Sequence, residues 1–327
     1  MRIDKSVHGD PTDDKRGRFA DTPNDIPLSG FLDVFWRVVS QFGEDRVTLI
    51  AAGVTYYILL ALFPALAALV SLYGVVADPL TIAKHVDFLS TVFPPGSFDL
   101  ILAQLDALAR QKNSTLSIGV IGGFLIALWS ANNGIKALFQ AMNVAYGENE
   151  KRGLIRLNLF SLSFTFGAII VAIALITAVG VVPVLLAYLW LDRWAELLAA
   201  LSRWPVLLLL VGAAISMLYR YGPSRERAKI RWLTWGAAFS ASLWLIASIL
   251  FSFYIENFAD YNATYGTLGA LIGFMVWIWI SVIILIVGAE INAELERQTT
   301  CDSTTGTPLP MGQRGAFVAD TVGPPSD

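Results

Sequence analysis

Polar side chains end two of the apolar segments in this 327-residue chain. Those that close the second segment are Asn132, Asn133 and Lys136, and those that close the last are Glu290, Asn292 and Glu294. Charged and amide groups are costly within a membrane, and where they occur there they commonly mark a path for ions or substrate. Their chemistry would be recognition, as an ion-paired, hydrogen-bonding mouth for a solute or a lipid headgroup.

Lys136 and Glu290 are the two charges whose depths should match, because each stands where an apolar segment meets the same interface. We predict that they pair across the two helices. The alternative is that Lys136 only extends to the interface, where a cation near a helix C-terminus is favoured. Tyr265, in a short loop before the last segment, is a further candidate for ligand contact, although such a loop also suits a tight turn.

The chain has few of the residues from which catalytic and metal sites are built. Its two histidines, His8 and His85, are far apart, and Cys301 is its single cysteine, so neither a disulfide nor a His/Cys zinc site is expected. It has no Gly-Lys phosphate loop and no H-E-x-x-H motif. A net charge of −3 argues against a nucleic-acid binder, which carries a basic patch. We therefore expect no enzyme activity, cofactor, metal or nucleic-acid partner.

The composition indicates a membrane protein. Apolar residues make up 55% of the chain and charged residues 15%, with a mean hydropathy of +0.60, whereas soluble domains carry about 25% charge. About 20 residues at 1.5 Å rise cross a 30 Å hydrocarbon core. The sequence therefore predicts an all-α, polytopic six-helix membrane bundle, with spans near 47–76, 116–139, 159–190, 204–221, 232–256 and 266–289.

Polar segments flank and interrupt this membrane domain, which we place at residues 29–297. Residues 1–28 and 298–327 have the composition of disordered termini. A helix beginning near Ser29 is amphipathic and too charged to span, so we expect it at the membrane surface, with packing on a cytoplasmic loop as the alternative. Residues 77–115 form the largest loop predicted on the outside.

The basic residues predict the orientation. The N-terminal region, the second and fourth loops and the C-terminal tail carry 17 of the 23 Lys and Arg residues, and the other loops carry five. Basic loops stay in the cytoplasm, so both termini should lie there, which an even number of spans requires. The fourth loop also suits anionic lipid headgroups, and we expect membrane lipids as partners at the cytoplasmic loops.

Four stretches together resemble the YihY/BrkB family of bacterial inner-membrane proteins. They are AAGVTYYILLALFPAL, SANNGIKALFQAMNVAYG, GPSRERAKIRWLTWGAAFSASLWLIASILFSFYI and YNATYGTLGALIGFMVWIWISVIILIVGAEINAELE. The resemblance covers roughly residues 30–297, and the last stretch is its most specific part. It implies six spans with cytoplasmic termini. Family members have been labelled ribonuclease BN, serum-resistance factors or virulence factors.

Three functions follow from these observations. Intramembrane polar residues favour transport, export or lipid handling through a cavity between helices. A non-catalytic envelope or assembly protein is the alternative, because the polar residues are few and peripheral. A ribonuclease that processes tRNA is the third, and the missing catalytic inventory argues against it.

Overall fold

The computed structural model of the protein describes residues 15–73, 116–176, 193–257 and 269–326. These residues form helices and connecting segments without any β-strand, and one antiparallel bridge joins Ala228 to Thr304. The all-α prediction is therefore confirmed for this part of the chain. The predicted outside loop at 77–115 and the candidate residue Tyr265 lie outside the described residues.

Eight α-helices occur in the described residues, and the six long ones fall on the six predicted apolar segments. They are α1 (Leu28–Glu44), α2 (Val47–Tyr73), α3 (Leu116–Ala145), α4 (Leu154–Ile176), α5 (Arg193–Tyr221), α6 (Thr234–Asn257), α7 (Gly269–Glu296) and the short α8 (Phe317–Asp320). Short 3-10 helices cover Pro23–Asp25 and Ile230–Trp232. Helices α3 and α7 continue well past the predicted span ends at 139 and 289, so their polar ends are helical.

Three helices within the described residues are long and apolar enough to cross a bilayer. The qualifying stretches are Leu154–Val171 in α4, Thr234–Ile255 in α6 and Leu271–Glu296 in α7, and shorter apolar stretches are Val47–Ala61 in α2 and Pro205–Tyr221 in α5. Large apolar side chains cover the outer faces, among them Ile170 and Leu250, which are 66% and 62% exposed. An exposed apolar surface of this extent is typical of helices solvated by lipid.

The six long helices pack in a closed ring. Each of α2 to α6 contacts the next helix in the chain, and α7 completes the ring by contacting α2. Helix α7 also contacts α1 and α3, so it has more helical neighbours than the others. Its buried side chains Phe274, Ile278, Val282 and Ile286 recur every fourth residue, which places them along one face of the helix, towards the core.

Helices α6 and α7 cross where neither has a side chain. A Cβ atom added to Gly236 would overlap the carbonyl oxygen of Gly288, and one added to Gly288 would overlap the Ser240 hydroxyl. The close approach lets Ser240 donate to the Ile284 carbonyl at 3.0 Å, and Tyr219 of α5 donates to the Leu285 carbonyl at 2.8 Å. Small residues at such crossings allow backbones to meet in the absence of a hydrophobic driving force between helices.

Helix α1 turns its charged side inward. Asp33 and Arg37 are buried against the end of α7, whereas Leu32, Phe35 and Trp36 are more than half exposed. An amphipathic helix packed on a soluble protein would show the opposite orientation. The exposed apolar stripe therefore fits contact with lipid, and the helix is at the same time packed on the protein.

The prediction of disorder at the two termini is wrong for the part that the structure describes. Residues 15–28 and 298–326 pack on the bundle, and buried side chains in the tail, including Thr299, Ser303 and Arg314, form hydrogen bonds. Arg314 alone donates to the carbonyl oxygens of Leu309, Thr300 and Ala319. These polar segments are ordered because side chains of α1 and α7 form hydrogen bonds with them.

The crossing of α6 and α7 generates the first prediction. Gly288→Ala should lower the melting temperature of the protein in detergent, because overpacking of this kind costs about 1–3 kcal/mol. The matched control is Gly167→Ala on α4, where an added Cβ has no neighbour within 4 Å. The control should melt at or above the wild-type temperature, since alanine favours a helix. Equal melting of Gly288→Ala and wild type would show that the helices are not in contact there.

Candidate functional site

The candidate site begins with the buried polar end of α7. Five side chains there are at most 2% exposed, although all are charged or carry amides: Glu290, Asn292, Glu294, Glu296 and Gln298. Charged residues are almost never fully buried without partners, so the contacts of each one determine what the site can do.

Glu296 forms a fully buried ion pair. The guanidinium of Arg225, from the segment between α5 and α6, donates to both of its carboxylate oxygens at 3.1 and 2.7 Å, and the Ser303 hydroxyl adds a third bond at 2.7 Å. The two charged side chains are 2% and 0% exposed. Arg225 also lies 4.9 Å from the centre of the Tyr146 ring. A pair with this geometry holds its elements together but offers no free charge to a ligand.

Glu294 is held by two arginines. Arg37 of α1 donates through Nε to one carboxylate oxygen, and Arg297 donates to the other at 2.6 Å. Arg37 also donates to the side chain of Gln298 at 2.7 Å and to the Pro324 carbonyl at 3.0 Å. This guanidinium therefore joins α1, the end of α7 and the tail.

Asp33 joins the N-terminal segment to the same network. Arg16 donates to its carboxylate at 2.7 and 3.0 Å, and the backbone and hydroxyl of Ser326 donate at 2.8 and 2.7 Å. Burial alone would raise the pKa of Asp33, but these hydrogen bonds outweigh it and hold the pKa below its usual value. Hydrogen bonds thus connect Asp33, Gln298, Arg37 and Glu294 into one network, with Arg16 and Arg297 at its two ends. We call this network, together with the neighbouring pair of Arg225 and Glu296, the polar cap.

Asn292 has a structural role that its position alone did not indicate. Its side-chain oxygen accepts from the backbone N–H of Gly236 at 2.8 Å, and its amide donates to the Leu233 carbonyl at 3.2 Å. The first N–H groups of a helix have no partner within the helix. Asn292 supplies one of them from another helix and so caps α6.

Asn132 is likewise engaged between helices. It accepts from the hydroxyl of Ser161 on α4, and its amide donates to the Asn158 side chain at 3.4 Å. Asn132 is buried, whereas its neighbours Asn133 and Lys136 are half-buried. The structure therefore brings Asn132 to the interface of α3 and α4, where it serves as an interhelical contact of the kind common in membranes.

The predicted pair between Lys136 and Glu290 is wrong. No ion pair within 4.0 Å joins the two among the residues that the structure describes, and the groups around Glu290 are Asp45, Glu294 and Arg297. The sequence placed both charges at one depth but could not tell which side of α7 faced α3. Lys136 is half-buried and lies nine residues before the end of α3 at Ala145, so it does not have the predicted position near a helix C-terminus either.

Glu290 instead forms a pair of acidic groups with Asp45, which follows α1. The Glu290 carboxyl group lies near that of Asp45, and one oxygen of Glu290 is buried without any hydrogen-bond partner. Two neighbouring carboxylates repel each other, so ionisation of both is disfavoured and a proton is retained on one of them. Burial raises the pKa of Asp45 above its usual value, which favours that proton.

A second feature beside the polar cap is an apolar groove of about 510 Å³ between α1, α6 and α7. Every side chain that lines it is apolar or aromatic: Phe31, Val34, Phe35, Val38, Val39, Phe42, Trp235, Phe239, Val287, Ile291 and Leu295. Among the described residues no group of three or more His, Cys, Asp or Glu side chains is placed to hold a metal ion. The site thus combines a satisfied ionic cluster with an open apolar groove.

Sequence reasoning missed the partners of the polar cap. The count of basic residues uses Arg37 and Arg225 as indicators of orientation, and the composition of residues 298–327 assigns Gln298 to a disordered tail. One signal could have found them, because acidic residues recur along GAEINAELE where a helix should remain apolar. Buried acidic groups need cations, and the arginines of the adjoining segments are the ones within reach.

These features define a helical membrane protein whose spans end in a buried ionic cluster. The sequence profile of the family described as Virulence factor BrkB matches residues 38–310. This protein therefore belongs to the BrkB family, which confirms the resemblance seen in the sequence.

Named relatives support the assignment to membrane proteins. The ribonuclease-like protein YfkH of Bacillus subtilis is 32% identical over 281 residues, which cover 83% of this chain and 96% of that one. The UPF0761 membrane protein NTHI0384 of Haemophilus influenzae is 22% identical over 275 residues, covering 83% and 97%. The UPF0761 membrane protein NMB0524 of Neisseria meningitidis is 26% identical over 263 residues, covering 80% and 62%. No solved structure matches the chain.

The ion pairs of the polar cap generate a second prediction, a pair of double-mutant cycles. Arg225→Met leaves the Glu296 carboxylate buried and unpaired, which should cost about 3–5 kcal/mol of stability. Glu296→Gln removes that charge, so the double variant should recover part of the loss, with a coupling of about 0.5–3 kcal/mol. The measurement is the melting temperature in detergent of the wild type, both single variants and the double variant.

The control is a second double-mutant cycle on Lys136 and Glu290, which are not in contact in the structure. Lys136→Met and Glu290→Gln should add within about 0.5 kcal/mol, because the two side chains share no contact. Coupling in this second cycle, or additivity in the first, would contradict the arrangement of charges described above.

Proposed function

We propose that the protein is a six-span protein of the bacterial inner membrane, with both termini in the cytoplasm, that binds a membrane lipid and moves it. The role is not enzymatic. The observation that carries the proposal is the apolar groove between α1, α6 and α7. Carboxylates at the end of α7 are engaged with arginines, so the groove is the more available surface for a ligand.

An acyl chain is the occupant that fits the groove. Two of its walls, α6 and α7, are helices apolar and long enough to cross a bilayer, so the groove is continuous with the hydrocarbon phase. Its third wall is α1, whose exposed side is apolar. An acyl chain that enters from the bilayer loses no water contact, and because the groove is lined by apolar and aromatic side chains, its binding leaves no buried polar group unpaired.

The position of the groove also suits a lipid that moves between the two leaflets of the bilayer. Leu295, which lines the groove, is followed in sequence by Glu296 of the polar cap, so the groove lies at the level where apolar spans end. An acyl chain held there would have its headgroup beside charged side chains. A non-catalytic envelope or assembly protein remains the competing function, and it requires no lipid movement.

A translocation assay tests the proposal. Vesicles with the purified protein and a fluorescent phospholipid are treated with an impermeant quencher, and the rate at which inner-leaflet lipid becomes accessible is measured. We expect a faster rate than in protein-free vesicles. Phe35→Glu should reduce the rate by about tenfold, because a charge in the groove opposes an acyl chain.

Trp36→Glu is the matched control for this assay. Trp36 and Phe35 are adjacent on α1 and equally exposed, at 57% and 56%, but only Phe35 lines the groove. The control should translocate lipid at the wild-type rate. Rates no higher than those of protein-free vesicles would instead favour the envelope or assembly role.

The orientation has its own test by thiol labelling. Cys301 is half-buried, and burial raises the pKa of its thiol, so it is replaced by serine and a cysteine is placed at the exposed Thr307. A membrane-impermeant reagent should label Thr307→Cys only after the cells are opened. A cysteine at position 262, in the predicted fifth loop, should react in intact spheroplasts. The reverse pattern would place the termini outside.

A further inference from the structure

A second cavity, of about 450 Å³, lies between the start of α4, the end of α5 and the segment 222–229. Its lining is strongly basic, with six Lys or Arg side chains among twelve residues and one acidic side chain, Glu226. The basic residues are Lys151, Arg152, Arg156, Arg220, Arg225 and Arg227. It shares no residue with the apolar groove, so the following inference is independent of the proposed function.

Three of the six cations already have carboxylate partners. The pairs are Lys151 with Glu148, Arg152 with Glu150, and Arg225 with Glu296, each at 2.7 Å. Burial opposes ionisation of Glu150, but the hydrogen bonds from Arg152 and Asn143 lower its pKa to about 2, so it stays charged. These three cations are therefore neutralised and serve mainly to shape the wall.

The other three cations, Arg156, Arg220 and Arg227, make no ion pair among the residues that the structure describes. The Nε atom of Arg220 is buried and has no hydrogen-bond partner. The guanidinium carbons of Arg220 and Arg227 lie 5.6 and 5.1 Å from the centre of the same Tyr221 ring. Both cations thus contact one aromatic ring, and neither has a carboxylate to neutralise it in the part of the chain that the structure describes.

We propose that this cavity binds a phosphate group through Arg156, Arg220 and Arg227. Guanidinium groups present planar forks of N–H donors that match phosphate oxygens, and a tetrahedral anion can accept from several arginines at once. A phosphate would also supply the acceptor that Arg220 lacks. The cavity begins at the N-terminus of α4, where the helix dipole adds to the attraction for an anion.

The surroundings favour a lipid headgroup as the source of the phosphate. Beside the cavity, α4 exposes Leu154, Ile155 and Leu159, which are 81%, 78% and 62% exposed. Apolar side chains this exposed fit the hydrocarbon side of the interface, so the cavity opens where headgroups meet acyl chains. Inorganic phosphate has the same recognition chemistry, and the experiment separates the two sources.

The test titrates the full-length protein in detergent with dioleoyl phosphatidic acid, dioleoyl phosphatidylcholine and inorganic phosphate. Native mass spectrometry reports lipid binding, and the shift in melting temperature reports phosphate binding. We expect phosphatidic acid to bind at least tenfold more tightly than phosphatidylcholine.

Arg156→Gln and Arg227→Gln should each weaken the binding of phosphatidic acid by about 10- to 100-fold, since charge-assisted hydrogen bonds are lost. Both side chains belong to exposed residues, so the melting temperature without ligand should not change.

Arg231→Gln is the matched control, because Arg231 is an exposed arginine of the same connecting segment that does not line the cavity. It should bind phosphatidic acid like the wild type. If phosphatidic acid binds and inorganic phosphate does not, the site is specific for a lipid headgroup. If both bind, and the same variants lose both, the site recognises the phosphate group itself. Equal affinity for the two lipids, no loss in either cavity variant, or the same loss in Arg231→Gln would refute the proposal.

Discussion

A carboxylate that is removed from water needs a cation, and α7 ends with two such groups, Glu294 and Glu296. Burial of an unpaired ion costs several kcal/mol, which is a large part of the stability of a protein of this size. Arg37 and Arg225 therefore have to come to this point from other segments, and both do so with hydrogen bonds to the carboxylate oxygens. The fold around the end of α7 depends on this requirement.

The same requirement positions the elements that surround the bundle. Arg37 fixes α1 against α7 with its charged side inward, and this orientation leaves Phe35 and its apolar neighbours over α6 and α7. The apolar groove exists because α1 is held there by an ion pair. Arg225 in turn forms one wall of the basic cavity while it neutralises Glu296. The apolar groove and the basic cavity are thus each positioned by an ion pair of the polar cap, and the first offers an apolar surface to a ligand while the second offers cations.

Charges without a partner are the exceptions in this region and are the more informative for function. Arg156, Arg220 and Arg227 face a cavity without a neutralising carboxylate in the described residues. Glu290 has the opposite imbalance, since it lies near the acidic groups of Asp45 and Glu294 and one of its oxygens has no hydrogen-bond partner. The three arginines and Glu290 all lie near the ends of spans, where lipid headgroups and protons are the available ligands.

Sequence alone determined the class of fold and the location of the polar end of α7, because long apolar runs and the cost of charge within them are local properties. The six long helices overlap the six predicted apolar segments, and Glu290, Asn292 and Glu294 lie in the last turns of α7. That these residues form a mouth for a ligand stays a prediction. The family resemblance was also readable from local motifs. These results depend on residue type and spacing along one chain segment.

Tertiary structure decided which partner each polar residue took. Asn292 caps α6, Asn132 binds Ser161, and Glu290 faces Asp45 rather than Lys136, because the rotation of each helix about its axis is set by packing and not by its own sequence. The order of the tail followed from the same cause. Its polar composition predicts disorder for an isolated segment, yet Arg37 donates hydrogen bonds to Gln298 and Pro324 of the tail, more than 250 residues away in the chain. Such pairings have no local signature, since they form only when α1, α7 and both termini meet.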